Sequence, residues 1–343
     1  MISYKYLGSG TQYELQLDLY FECLPSTVGH DLMSSIGVYD SAGISVDFFN
    51  IPADTSTIVT VTDSCNGICI RKVSYIDTVS FSFQATGGYV FRYERCCFST
   101  TLTNLQNSGS IGFGLITNFF YTGSNTPNNS SPTSNSSSGF IVQNNQAFSL
   151  DFSATDPDGD QLTYTFTSTP QYLSQFSPKP LNPSFNPNGC ISLSGGYSNS
   201  MPIASSSSNP AILYPTTGIY SGTPVLNGLF IMTVLITETR NGSTIGTSTR
   251  TIPLAVSPCL VSSIGKNEVI SKNKVFPNPI LNRFKIQSQS KLERVYIQDF
   301  KGKILKELNL NNNEFELTDL PSGIYLLRLE SKAGTETKKI IKQ

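Results

Sequence analysis

Three aspartates separated by single residues, Asp156, Asp158 and Asp160 in ATDPDGDQL, are the residues of this chain best suited to chemistry. Carboxylates at i, i+2 and i+4 of an extended segment fall on one side of it, and calcium takes several such oxygens at once. Glu238, near the end of a predicted strand, is the best placed further ligand. The EF-hand pattern does not apply, because glycine stands at the fourth loop position instead of the sixth and Thr167 replaces the bidentate glutamate. The same residues also read as a polar turn whose Asp side chains bind backbone N–H groups and hold no metal. Both readings stand.

Seven cysteines beside one histidine favour disulfides over zinc and point to an oxidising compartment. The candidates are Cys23, Cys65, Cys69, Cys96 and Cys97, with Cys190 and Cys259 standing alone. Neighbours on a strand face opposite ways, so Cys96 and Cys97 are expected to have different partners. Three bridges among seven cysteines allow about 105 pairings, and none is assigned. No catalytic residues are identified: no G-x-S-x-G, H-E-x-x-H or P-loop pattern occurs, and His30 lies in a polar loop, where solvation is expected. Asp18 and Glu22 alternate on the polar face of a strand and are also expected to be solvated.

The elements that must position these groups are strands. In QYELQLDLYFE, Tyr13, Leu15, Leu17, Leu19 and Phe21 take one face, and Leu162, Tyr164 and Phe166 repeat the alternation. No helical period runs over a dozen residues, so the chain is all-β. Charged residues make up only 14% of the chain, against about a quarter in most globular proteins. Residues 1–259 carry 8 basic and 15 acidic side chains, whereas 260–343 carry 15 and 9, which marks a boundary near Cys259. The lysines of the second part alternate with Glu and lack aromatic interleaving, so nucleic acid is not an expected partner. The polar stretch 123–139 cannot build a core and reads as a linker or a long inter-domain turn, and the irregular region 170–217 reads as an insertion on a sandwich face or a functional surface. The expected organisation is 1–125, 126–258, a linker over 259–272, and 273–343.

Several segments resemble known modules, which together imply two immunoglobulin-like β-sandwich domains followed by a small C-terminal β-sandwich. The aspartate segment, with Leu162 and Tyr164, and the later Gly218, Gly222, Thr223 and Pro224 resemble the cadherin-like and dystroglycan-type immunoglobulin-like domains of bacterial surface proteins. The pattern of Cys23, Cys65, Cys69, Cys96 and Cys97 resembles the N-terminal region of large Bacteroidota surface proteins, a resemblance that covers most of residues 1–257, except that Phe98-Ser99 stands where that family has Arg-Asn. The triplets Asp40-Ser41-Ala42 and Asp77-Thr78-Val79 resemble the short O-glycosylation sequence of the same phylum.

The last seventy or so residues resemble the type A C-terminal sorting domain of the type IX secretion system. The match runs through Pro277-Asn278-Pro279, the Gly302 turn, the Leu320, Gly323 and Tyr325 signature, and the basic-apolar end at Lys338 and Lys339. This resemblance implies a secreted, cell-surface protein. Its implied partners are the translocon, a sortase-like peptidase cutting near 260–273, and surface lipopolysaccharide. The expected cargo is adhesin-like or surface-structural and not an enzyme, with a glycan or protein ligand. The alternative is a carbohydrate-binding protein that uses tyrosines of the 170–217 loop. Met1–Gln16 shows no signal peptide, so the expectation is an export signal upstream of Met1 in a longer chain.

Overall fold

A computed structural model describes residues 1–343 except 9–10, 23–29, 63–66, 81–86, 121–128, 137–138, 173–177, 259–272, 279, 289–290, 299–303, 311–313, 332–333 and 343. The chain is all-β, with one short 3-10 turn at Ser108–Ser110 and no α-helix among the described residues. It divides into two compact units, Met1–Val261 and Ser262–Gln343.

In the first unit the predicted alternation becomes a two-layer packing. Tyr13, Leu15, Leu17 and Leu19 of strand Gln12–Glu22 are buried, and Val73 and Tyr75 of the adjacent strand Cys69–Ser80 join them. Facing them are Ile36 and Val38 of Met33–Asp40, Phe91 and Tyr93 of Tyr89–Arg95, and Leu115 and Phe119 of Gly112–Phe119. One long strand, Ser45–Thr62, serves both layers: its 45–52 part pairs with 33–39 and its 53–62 part with 69–75. A second core follows from Phe230, Met232, Val234 and Ile236 on one face of Gly228–Arg240, with Ile252, Leu254 and Val256 of Ser243–Ser257 beside them. The short strands Phe148–Asp151 and Ile219–Gly222 close it from the other side through Tyr220 and Phe148.

The two cores share one hydrogen-bonded sheet. Strand Ser243–Ser257 pairs with Gly228–Arg240 along one edge, and along the other with 117–119 of the first packing through 246–248 and, in parallel, with 140–143 through 254–257. Residues 1–258, expected as two domains, therefore lie within one compact unit.

The two polar connecting segments are both held against protein. Asn129, Ser130 and Ser131, inside the predicted linker, are 1–3% exposed, because the Ser131 hydroxyl accepts from the Tyr4 N–H at 2.8 Å and the Ser131 N–H donates to Tyr4 O at 2.8 Å. Much of the 170–217 loop is held against the first packing: Cys96 N–H donates to Pro178 O, Ser184 N–H donates to Glu94 at 3.0 Å, and Phe185 stands against Tyr39. Its polar composition reflects hydrogen bonding to protein in place of water.

The second unit has its own core, built by Phe284, Val295, Ile297, Phe315, Leu317, Leu327, Leu329 and Ile340. Strand Gly323–Ser331 pairs with Leu292–Gln298 on one side and with Gly334–Lys342 on the other.

Gly88, in the Gly-Gly-Tyr entry to strand 89–95, is required for two reasons: its φ is +97°, and a Cβ there would stand 1.8 Å from Phe119 O. Gly159 has φ +82° with open space around it. Gly88→Ala is therefore expected to cost about 2–3 kcal/mol or more, against about 1 kcal/mol for Gly159→Ala, read as urea midpoints. Equal midpoints for the two variants would remove the close-approach argument.

Candidate functional site

The acidic cluster is assembled by register. Strand Gln161–Thr167 pairs with Gly228–Arg240 so that Gln161 meets Thr239, which brings the preceding Asp160 beside Arg240. Glu238 is two residues before Arg240 and continues the core face of Val234 and Ile236, so it is only 1% exposed. Cross-strand from it is Gly246, where a Cβ would come within 2.8 Å of Glu238 Oε2. The absence of a side chain there leaves room for the carboxylate.

Three of the four predicted ligands meet: one oxygen from each of Asp156, Asp160 and Glu238 lies within 4.8 Å of the others. Asp158 does not join them, since its Oδ2 accepts the Ser130 N–H at 2.6 Å. The turn reading is realised in the same residues. Asp156 Oδ1 accepts the N–H groups of Asp158 at 2.9 Å and Asp160 at 3.1 Å. Its other oxygen, Oδ2, is buried with no hydrogen-bond partner.

Two residues that were not singled out in the sequence complete the cluster. Arg240 donates from Nε to Asp160 Oδ1 at 2.7 Å and from Nη2 to Asp160 Oδ2 at 2.5 Å, a bidentate pair. Nη2 also reaches Asn129 Oδ1 at 2.6 Å. Asn129 Nδ2 in turn donates to Glu238 Oε1 at 2.8 Å. Arg240 had a signal, being one of the few basic residues before Cys259 and lying on the same strand face as Glu238. Asn129, inside a polar tract, had none.

Burial pushes the Glu238 carboxyl up to about 8, opposed by the Asn129 amide and reinforced by the charges of Asp156 and Asp160. Burial also raises Asp156, against the lowering effect of its two backbone donors. Near neutral pH the negative charge of the cluster is thus reduced by a proton on Glu238 and by the guanidinium of Arg240. As for calcium, the unpartnered Asp156 Oδ2 and the Glu238 carboxylate fit such an ion, whereas both Asp160 oxygens are already engaged by Arg240.

The other sequence-marked residues are placed as follows. Cys96 and Cys97 are bonded to each other, which corrects the expectation of separate partners. They lie just past the end of strand Tyr89–Arg95, where strand alternation no longer governs side-chain direction, and the peptide joining them is cis. Cys69 is disulfide-bonded, Cys190 is free and exposed, and Cys23 and Cys65 lie outside the described residues. Asp18 is corrected from solvated to buried: Lys72 pairs with it at 2.9 Å and the Ser74 hydroxyl donates at 2.6 Å. Glu22, expected in solvent, accepts hydroxyls from Ser99 and Thr101. His30 is half-buried, with both ring nitrogens shielded, and not the open loop residue expected.

Among the loop tyrosines, Tyr172 is buried, Tyr197 packs on Phe230, and Tyr214 is exposed, so these three make no shared platform. In the second unit, Pro277 and Asn278 follow strand Asn273–Phe276 on the surface. Pro279 and Gly302 lie outside the described residues. Leu320 packs on the core, Gly323 opens its strand, and the Tyr325 hydroxyl donates to Pro321 O at 2.7 Å. Lys338 and Lys339 pair with Leu327 and Leu326.

Glu238 titrates near 4.5 when unfolded and about 8 when folded, so the folded state holds a proton that the unfolded state has lost between those values. That contribution to stability is full below about pH 4.5 and is lost, by up to about 1.4 kcal/mol per pH unit, toward pH 8. Glu238→Gln, which keeps the shape without the charge, is expected to flatten the fall of unfolding temperature from pH 5 to pH 8. An unchanged slope would assign that dependence elsewhere.

Residues 274–343 match a family model described as a secretion system C-terminal sorting domain. No curated protein matches the chain. Among solved structures it is similar to the N-terminal four Ig domains of Dscam1 isoform 4.44, at 8% identity over 100% of this chain and 73% of that one, with a TM-score of 0.17. It is also similar to Sidekick-1 immunoglobulin domains 1–5, at 9% identity over 100% and 58%, TM-score 0.17. A third similarity is to extracellular domains 3–5 of Drosophila OTK, at 10% identity over 95% and 91%, TM-score 0.15. Superpositions at these scores carry no argument, and the all-β architecture rests on the strand pairings themselves.

Proposed function

We propose that the chain is a cargo of the type IX secretion system of Bacteroidota. In this reading residues 274–343 are the address, and residues 1–258 a surface-anchored, adhesin-like or surface-structural protein without enzymatic activity. The observation that carries it is the sorting-domain match, which falls on a unit with its own core of Phe284, Phe315, Leu327 and Ile340. An address that is read and then removed must fold apart from what it delivers, and a separate core supplies that independence. A sortase-like peptidase would cut between Leu260 and Asn273, leaving the cargo on lipopolysaccharide. The adhesive role draws on the first unit: charges are few, buried ones such as Asp18 are individually paired, and Cys96–Cys97 is oxidised. The alternative, carbohydrate binding through the 170–217 loop, has less support, since much of that loop is engaged with the first packing and two of its tyrosines face protein.

For the acidic cluster we propose calcium as the ion it accepts, on Asp156 Oδ2 and the Glu238 carboxylate, in competition with the Glu238 proton. At pH 8, millimolar calcium is expected to raise the unfolding temperature by several degrees over a chelated sample, and Asp156→Asn to abolish the rise. The absence of any shift would leave the proton and Arg240 as the whole account.

For the address, residues 260–343 fused to an exported reporter are expected to bring it to the surface of a Bacteroidota host, where added protease reaches it. A reporter retained in the periplasm would sink the sorting assignment.

A further inference from the structure

Beside the first core, on the faces of Gly228–Arg240 and Ser243–Ser257 that point away from the second core, a pocket is open. A cavity of about 410 Å³ lies between the end of strand Gln12–Glu22, the segment after Cys96–Cys97, and the strands Gly112–Phe119, Gly228–Arg240 and Ser243–Ser257. Protein interiors are close-packed, and voids well above the size of a water molecule are few. This one is within the range of about 300–1,000 Å³ typical of small-molecule sites, and such sites favour the seams between packed bodies.

Its walls are mainly apolar and rich in rings. Phe21, Phe98 and Phe113 line it, with the last two stacked at 4.4 Å between centroids, and Leu102, Leu115 and Leu229 complete the apolar surface. The Arg95 guanidinium is 4.9 Å from the Phe21 ring, and Cys97 also lines the space. Ring edges and a polarisable sulfur favour contact with another flat ring.

One polar group of this lining sets what such a ring would carry. The Glu22 carboxylate is among the lining groups, and its present donors are the rotatable hydroxyls of Ser99 and Thr101. A hydroxyl can turn away at small cost and yield its place to an N–H or O–H of a guest.

The wall is held in place from several sides. Phe98 N–H donates to Ile111 O at 3.3 Å, the Ser108 hydroxyl donates to Ser99 O at 2.5 Å, and Thr103 N–H donates to Leu229 O at 2.7 Å. The cavity is thus a preformed shape and not slack in a loop, and a preformed site loses less on binding.

We propose that this cavity is a binding site for a small uncharged ring compound bearing one hydrogen-bond donor, with the ring against Phe98, Phe113 and Cys97 and the donor on Glu22. The site is independent of the sorting address and of the acidic cluster.

Indole is a suitable probe, being a flat uncharged ring with one N–H. The chain contains no tryptophan, so indole emission excited at the red edge, beyond the tyrosine band, carries no background from the protein. Titration of the full chain is expected to give a saturable blue shift of indole emission with one site and a Kd below about 1 mM. Leu229→Phe, which fills the cavity, is expected to weaken binding at least tenfold, and Leu102→Phe, at a less buried wall position, serves if the first variant folds poorly. Glu22→Gln is expected to weaken indole binding more than that of naphthalene, which has no donor. The proposal is overturned if no saturable shift occurs with folded protein, or if a folded cavity-filling variant binds indole as the unaltered chain does. Equal weakening of indole and naphthalene by Glu22→Gln would overturn the role of the donor.

Discussion

The first unit depends on one antiparallel ribbon, the hydrogen-bond ladder between Gly228–Arg240 and Ser243–Ser257. Phe230, Met232, Val234 and Ile236 on one strand, with Ile252, Leu254 and Val256 on the other, supply one face of the second core. Through residues 246–248 the same ribbon is bonded to strand Gly112–Phe119, whose Leu115 and Phe119 belong to the first core. Ser243–Ser257 is consequently buried along most of its length on both sides. Strand geometry then imposes a consequence: side chains of opposite parity face different partners, so Ile252 meets the second core while Thr251 and Pro253 face the cavity.

The same ribbon explains why a carboxylate is buried. Glu238 occupies the next core-facing position after Ile236, so strand parity alone takes it out of water. Such a group must gain partners or remain protonated. Both occur here: Asn129 donates to it, Gly246 leaves it space, and its proton affinity rises to about 8. Arg240, one strand step further, neutralises Asp160 in the same neighbourhood. The other buried charges of the unit follow this rule. Lys72 and Ser74 hold Asp18, while Arg250 donates to the Tyr20 hydroxyl and the Phe152 carbonyl and lies over the Phe140 ring. In a chain with so few charges, these buried ones are compensated by particular neighbours.

Local pattern was readable wherever one chain segment settles the outcome. The alternation of Tyr13 to Leu19 and of Leu162 to Phe166 placed side chains on faces, because a period of two is a property of the backbone. The spacing of Asp156, Asp158 and Asp160 marked a segment where backbone N–H groups are bound by a carboxylate, and Asp156 does this. What escaped, apart from the meeting of Glu238 with Asp156 and Asp160, was the choice of partner across the sequence. Asn129 to Ser131 sit in a tract whose composition describes a solvated linker, yet Tyr4 and Asp158 take up their polar groups. Asp158 was drawn away from the carboxylate cluster by a backbone N–H 28 residues earlier. Cys96 and Cys97 turned toward each other because the strand ends one residue before them, a boundary that alternation does not mark.

By itself the sequence determined an all-β chain, its strand faces, a basic final segment with the order of motifs of a sorting address, and the acids most suited to meet. These follow from residue type and short-range spacing, which act through the backbone before any long-range contact forms. Only the tertiary structure decided that two cores share one ribbon, that Arg240 and Asn129 join the acids, that Asp18 is buried against Lys72, and that a cavity remains between Phe98 and Leu229. Each of these depends on register between segments tens to hundreds of residues apart. A register is selected by the packing of the whole unit, and no window of the chain contains it.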